Sequence, residues 1–193
     1  MKHKLFLITL FFSCYTGFAQ VDTATARLNN YRNSIVAVFN KCNLQEDEIT
    51  QAIKAKKVND IESGRKGLLQ CAIAGMKELT AMEDFNGDPA LKFSSREALK
   101  FYKQLAESDI PQIRDYFIVE ANFQRIKKEF KKKPAKKYSQ QEIQAYNKEA
   151  NKYNAALTRY IQLGHFISAS RKSTLYNWNA SQKIFMDTHK RKP

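Results

Sequence analysis

Glycine and proline are scarce in this chain, with only six glycines and four prolines among 193 residues. The prolines stand at Pro89, Pro111, Pro134 and Pro193. With so few breakers, folds made of many short elements are excluded and long helices are expected. A sustained alternation of apolar and polar residues is also missing, which argues against a β-sheet. No apolar run reaches the roughly 20 residues needed to cross a bilayer as a helix. H-E-x-x-H, G-x-S-x-G, a phosphate-binding glycine loop and a paired-cysteine metal motif are all absent. The chain is therefore expected not to be an enzyme and to carry no metal or cofactor. Acidic residues are in deficit as well: 33 Lys and Arg face 19 Asp and Glu, a net charge of +14. That balance favours polyanionic partners without naming one. A hydrophobic fraction of 43% and an aromatic fraction of 12% argue against disorder.

Met1-Lys2-His3-Lys4 followed by the apolar run Leu5 to Phe12 reads as a secretory signal peptide. Gly17-Phe18-Ala19 offers small residues for cleavage, so residues 1–19 are expected to be removed and residues 20–193 to form one domain. Removal of Lys2 and Lys4 leaves 31 basic against 19 acidic residues, a net of +12. Leu10-Phe11-Phe12-Ser13 before Cys14 is a poor lipobox, and lipid attachment at Cys14 is the alternative. Either route is expected to place the chain in the periplasm, at the cell surface or in secreted form, in a Gram-negative-type bacterium. The remaining cysteines, Cys42 and Cys71, are an even pair in a compartment where disulfides persist.

Apolar residues recur at steps of three and four. A first helix is expected from a cap at Asp22 or Thr23 to Lys57, with Leu28, Tyr31, Ile35, Val38, Phe39, Cys42, Ile49 and Ile53 on its stripe. The polar pair Gln45-Glu46 leaves a stop near Asn43 as the alternative. Asn59 or Asp60 caps a second helix carrying Ile61, Gly64, Leu68, Cys71, Ala72, Gly75, Leu79 and Met82, whose small residues admit a close neighbour. Asp84 to Pro89 is turn chemistry. Ser94-Ser95-Arg96-Glu97 matches a capping box, so the third helix is expected to start at Ser94. Pro111 is expected to kink or divide it, with Asp109 capping the second piece. The connector 131–138 leads to another capping box, Ser139 to Glu142, and to a fourth helix bearing Ile143, Tyr146, Ala150, Tyr153, Leu157, Tyr160, Gly164 and Ile167 in a coiled-coil-like repeat. That helix either continues through Trp178 and Phe185 or breaks near Ser173. Such segments pack most simply as an elongated, all-α, up-down-up-down four-helix bundle. A turn near Lys57 then sets Cys42 and Cys71 at heights within about 3 Å, so they form either a disulfide or two packed thiols.

The same topology gathers Lys54, Lys56, Lys57, Arg65 and Lys66 at one end with Arg125, Lys127, Lys128, Lys131, Lys132, Lys133, Lys136 and Lys137. The cluster suits phosphate, carboxylate or sulfate groups, although a solvated helix end and loop would use the same residues. Glu83, Asp84, Asp88 and Lys190-Arg191-Lys192 belong to the opposite end. Tyr146, Tyr153 and Tyr160 share a face, as core residues or as a stacking surface for bases or sugars. Asp84-Phe85-Asn86-Gly87-Asp88 has oxygen ligands at alternate positions of a calcium loop but lacks its later glycine and glutamate. His165, with Met76 or Met82 opposite, is a candidate haem ligand set or a packed histidine. Asp22-Thr23-Ala24 resembles a short O-glycosylation sequon and equally a helix cap.

The ending Phe18-Ala19-Gln20, the stretch Tyr31-Arg32-Asn33-Ser34-Ile35-Val36 and the closing Ala180-Ser181-Gln182-Lys183-Ile184-Phe185 resemble a family of uncharacterised exported bacterial surface proteins and lipoproteins. The resemblance implies a helical exported protein and assigns no site. A non-enzymatic envelope protein is expected, binding anionic lipid, polysaccharide or another envelope protein. The alternative is a holdase-like interaction module, and the third reading is a small-ligand or haem bundle. Sequence-specific nucleic-acid recognition is not evident.

Overall fold

The computed structural model describes residues 16–134 and 137–190, with side chains from Thr23 onward. The expected signal core, Cys14, Asp22 of the sequon, Lys136 and the tail residues Arg191 and Lys192 lie outside these limits. The described chain is all-α: α1 (Thr16–Lys54), α2 (Val58–Ala81), α3 (Ala90–Gln104), α4 (Ile110–Phe130) and α5 (Gln140–Lys190). A π-helical turn, Leu105–Asp109, joins α3 to α4, so four helical rods make up the bundle. Among the described residues no helix is long and apolar enough to cross a membrane.

α1 is continuous over 39 residues, with no stop at Asn43. It already turns helically at Thr16, so neither Asp22 nor Thr23 begins it. The polar gap at Gln45-Glu46 is bridged because Glu46 is buried and engages Arg171 of α5. α2 starts at Val58 after a three-residue turn in which Lys56 takes φ 53°, and neither Asn59 nor Asp60 caps it through a side chain. Small residues on α2 do allow close approach. A methyl group at Gly75 would lie 2.9 Å from Leu99 Cδ1 and 3.0 Å from Val38 Cγ1, and one at Gly64 would lie 2.6 Å from Ile49 Cγ1. These contacts run in opposite senses along α1 and α2, from Val38 beside Gly75 to Ile49 beside Gly64.

The third rod starts four residues before Ser94. Asp88 Oδ1 accepts the Ala90 amide at 2.8 Å, which satisfies an early helical donor without the serines. Ser94 and Ser95 therefore sit inside α3, and Ser95 has become a core polar group. Its hydroxyl donates to the Leu91 carbonyl at 2.8 Å and accepts the Trp178 indole N–H at 2.9 Å. Trp178 in turn stacks on Phe39 with ring centroids 3.9 Å apart.

Pro111 is absorbed by the π turn. Ile110 donates its amide to the Leu105 carbonyl, the i to i−5 bond of a π-helix. In that register the next amide would serve Ala106, but proline has none. Ala106's carbonyl instead accepts from Arg65 Nη1 of α2 at 3.3 Å, so a neighbouring rod satisfies the group that proline leaves open. Asp109 makes no capping bond there; it is buried, and burial raises its carboxyl pKa.

α5 is unbroken through Ser173 and, at 51 residues, spans roughly 76 Å. One apolar cluster unites all four rods, from Leu28 and Ile35 through Leu79, Leu99 and Ile110 to Ile167, Trp178 and Phe185. Cys42 is fully buried and Cys71 half-buried, both as free thiols. They lie within hydrogen-bonding reach, and burial first, then the Cys71 thiol, pushes the Cys42 thiol upward.

Candidate functional site: the basic end of the long hairpin

α4 and α5 continue as a pair past the point where α1 and α2 end. Lys56, in the α1–α2 turn, reaches both carboxylate oxygens of Glu120 at 2.8 Å. From Glu120 to Phe130 the hairpin extends about 15 Å further at 1.5 Å per residue. Two helices have no interior to share with other rods, so the projection needs its own core.

Aromatic rings supply it. Tyr116, Phe123 and Phe130 repeat every seven residues on α4 and meet Tyr160, Tyr153 and Tyr146 of α5. Tyr116 stacks on Tyr160 at 4.3 Å and 12°, Phe123 on Tyr153 at 4.8 Å and 16°, and Phe130 on Tyr146 at 4.2 Å and 20°. Tyr138, from the connector, stacks on the other side of Phe130 at 4.0 Å. Each such pair contributes about 0.5–1.5 kcal/mol beyond its buried area. The tyrosine stripe is thus the seam of the hairpin, and its faces are already taken by protein rings rather than offered to bases or sugars.

The connector is fixed as well. Tyr138 donates its hydroxyl to the Lys133 carbonyl at 2.8 Å and also reaches that of Phe130. The capping box at Ser139 forms: Ser139 donates its amide to Glu142 Oε2 at 2.9 Å, and Glu142 donates its amide to Ser139 Oγ at 3.2 Å. Lys133 pairs with Glu142, and the ammonium together with the Ser139 donors lowers the Glu142 carboxyl to about 2.

The expected cation cluster divides into two sets. At the α1–α2 turn Lys56 is held by Glu120, Lys57 lies 3.7 Å from Asp60, and Arg65, Lys66 and Arg114 share Glu62. The Arg65 guanidinium, then that of Arg114, holds the Glu62 carboxyl down to about 2. Lys54 alone of that turn has no acidic partner among the described residues. Along the projection, Lys132 is held by Glu129 and Lys133 by Glu142. Arg125 donates only to the amide oxygen of Asn122, and Lys127, Lys128, Lys131 and Lys137 have no carboxylate partner among the described residues. Residues 121–149 carry nine Lys and Arg against three Glu, a net of +6. The two sets do not merge into one patch, because the connector stands beyond the α1–α2 turn by most of the hairpin's projection.

The weaker candidates are placed elsewhere. Asp84 is 2.6 Å from Lys92 Nζ, and Asp88 accepts from Ala90 and lies 2.9 Å from His189 Nε2, so the carboxylates of the calcium-like loop face protein groups. His165 is exposed on α5. Met76 packs one residue from Gly75, near the level of Trp178, which is 13 residues or about 20 Å along α5 from His165. Met76 and His165 are therefore not brought together. No known protein family, curated protein or solved structure matches this chain.

Proposed function

We propose that this chain is a non-enzymatic protein exported to a bacterial envelope, where the tip of the α4–α5 hairpin binds an anionic lipid surface or polymer. What supports the reading is the set of acid-free cations Arg125, Lys127, Lys128, Lys131 and Lys137 on a projection braced by stacked rings. Lys127 and Lys131 share one face of the helix end, and Arg125 and Lys128 share another, so the tip presents charge in several directions. At about 1 kcal/mol per cation beside an anionic bilayer, five cations contribute about 5 kcal/mol. That corresponds to roughly sub-millimolar attachment, reversible and tunable by salt. Lys54, Lys56 and Lys57 are left out of this site, since the tip stands beyond them and two of the three face acids.

Co-sedimentation with anionic and neutral vesicles tests the reading. Binding to anionic vesicles at low ionic strength, lost near physiological salt and absent with neutral lipid, is the expected result, because exposed charges are screened within about 8 Å at 0.15 M. Equal binding to both lipids refutes it. A second reading, a protein-interaction module, draws support from large apolar side chains in solvent: Tyr176, Ile184, Phe93 and Leu44 are 74%, 66%, 64% and 63% exposed. Salt-insensitive capture of an unfolded client protein would favour it.

A further inference from the structure

A second recess lies in the body of the bundle, away from the hairpin tip. It is an open cleft between α1, the π turn with the start of α4, and α5, with a volume of about 340 Å³. Ile49 and Ile53, Leu105, Ile110 and Ile113, and Ile161 and Ile167 wall it. At one end Glu46 and Arg171 close it as an ion pair, with Arg171 donating through Nε at 2.8 Å. Thr50 stands midway along α1, and one turn on, at the other end, is Lys54, which has no acidic partner among the described residues. The two ends are eight residues of α1 apart, about 12 Å.

Gly164 and the π turn shape this recess. Gly164 lines it from the middle of α5, yet a methyl group built there would meet nothing within 4 Å. A helix-interior glycine is unfavourable, and unlike Gly75 this one makes room for no neighbouring rod. Leu105 and Ile110 bracket the π turn, a distortion that places side chains where a regular helix would not.

We propose that this cleft binds a long-chain fatty carboxylate, its hydrocarbon tail lying along Ile49, Ile110, Gly164 and Ile167 and its carboxylate at Lys54 and Thr50. Both charges at the Glu46–Arg171 end are already satisfied by each other, so the free cation at the opposite end sets the direction of the ligand. The inference is independent of the hairpin tip.

Isothermal titration of the full chain with dodecanoate below its micellar concentration, and with dodecanol as the uncharged equivalent, provides the test. Saturable dodecanoate binding near one per chain is expected. Gly164→Leu adds bulk at the cleft wall, where a Cβ meets nothing within 4 Å, and should weaken binding of both ligands at least tenfold. Ile161→Asp, at a half-exposed wall position, should do the same should the first variant fold poorly, with the helical circular dichroism of each variant recorded alongside. Lys54→Glu should weaken dodecanoate at least fivefold and leave dodecanol unchanged. Absence of saturable binding to the native chain overturns the proposal, as does binding that survives both Gly164→Leu and Ile161→Asp. An equal effect of Lys54→Glu on the two ligands overturns the assignment of the carboxylate to Lys54.

Discussion

Ser95→Ala probes the junction at which three rods meet, and the structure sets its cost. Ser95 is 0% exposed and Trp178 6%. Removing the hydroxyl leaves the Trp178 indole N–H without its acceptor in a site closed to water. An unsatisfied buried donor costs about 1–3 kcal/mol. Alanine returns up to about 0.5 kcal/mol as the better helix former, and the Leu91 carbonyl keeps its helical bond. The net loss is then about 0.5–3 kcal/mol, a fall in Tm of roughly 1–12 °C for a domain of this length. Trp178 is the only tryptophan, so its fluorescence reports unfolding of this junction directly, with helical circular dichroism as the second probe. The decisive comparison repeats Ser95→Ala in a Trp178→Phe background, where no indole N–H remains to be orphaned. There the substitution should cost close to nothing, a coupling of about 1–2 kcal/mol. An equal cost in both backgrounds would mean that the Ser95–Trp178 hydrogen bond does not carry the loss.

Further outcomes follow from the packing. Burial raises the Glu46 carboxyl while Arg171 opposes the rise. A carboxyl raised on folding stabilises fully below its unfolded pKa and loses that contribution as pH rises through the folded value. Arg171→Ala should therefore cost little near pH 4 and about 1–3 kcal/mol at pH 7 in urea unfolding, and a pH-independent cost would refute the pairing. Gly75→Ala should destabilise by about 1–3 kcal/mol through overpacking against Val38 and Leu99, whereas Gly164→Ala should stabilise by up to about 1 kcal/mol; thermal melts of the two variants should move in opposite directions. Mild oxidation should join Cys42 to Cys71 and remove both titratable thiols, with reduction then lowering stability by about 2–4 kcal/mol; two thiols remaining in the unfolded, oxidised chain would contradict their adjacency.

The helical periods of α1, α2 and α5 were legible because each stripe is local, and Ser139-Gln140-Gln141-Glu142 was legible as a cap for the same reason. Ser94-Ser95-Arg96-Glu97 carries an equally good local pattern, but Asp88 already satisfies the helix start, and Trp178, 83 residues away, uses the buried serine hydroxyl. Pro111 announces an irregularity without saying which one. The answer depends on Arg65 reaching Ala106 from another rod. The tyrosine repeat of α5 was visible as a face, but its partners Tyr116, Phe123 and Phe130, which keep the same seven-residue step on α4, do not follow from that stripe alone. Reading both repeats together gives the hairpin seam. Glu46 and Arg171 are 125 residues apart, so no spacing rule links them, and the vacancy beside Gly164 exists only once three rods are assembled. The cation cluster was legible as composition, but which lysines face acids depends on Glu120, Glu129 and Glu142 in three dimensions.

The proposed attachment to anionic surfaces rests on charge at the hairpin tip rather than on the net charge of the chain. Anionic-vesicle co-sedimentation at low salt should compare two triple variants of identical net charge. One reverses Lys127, Lys128 and Lys131 to Glu at the tip. The other reverses Lys77, Lys172 and Lys183 to Glu at exposed positions on the body of the bundle. The tip variant should lose binding and the body variant should retain most of it. Equal loss in the two variants, or full binding by the tip variant, would contradict the proposed role of the tip.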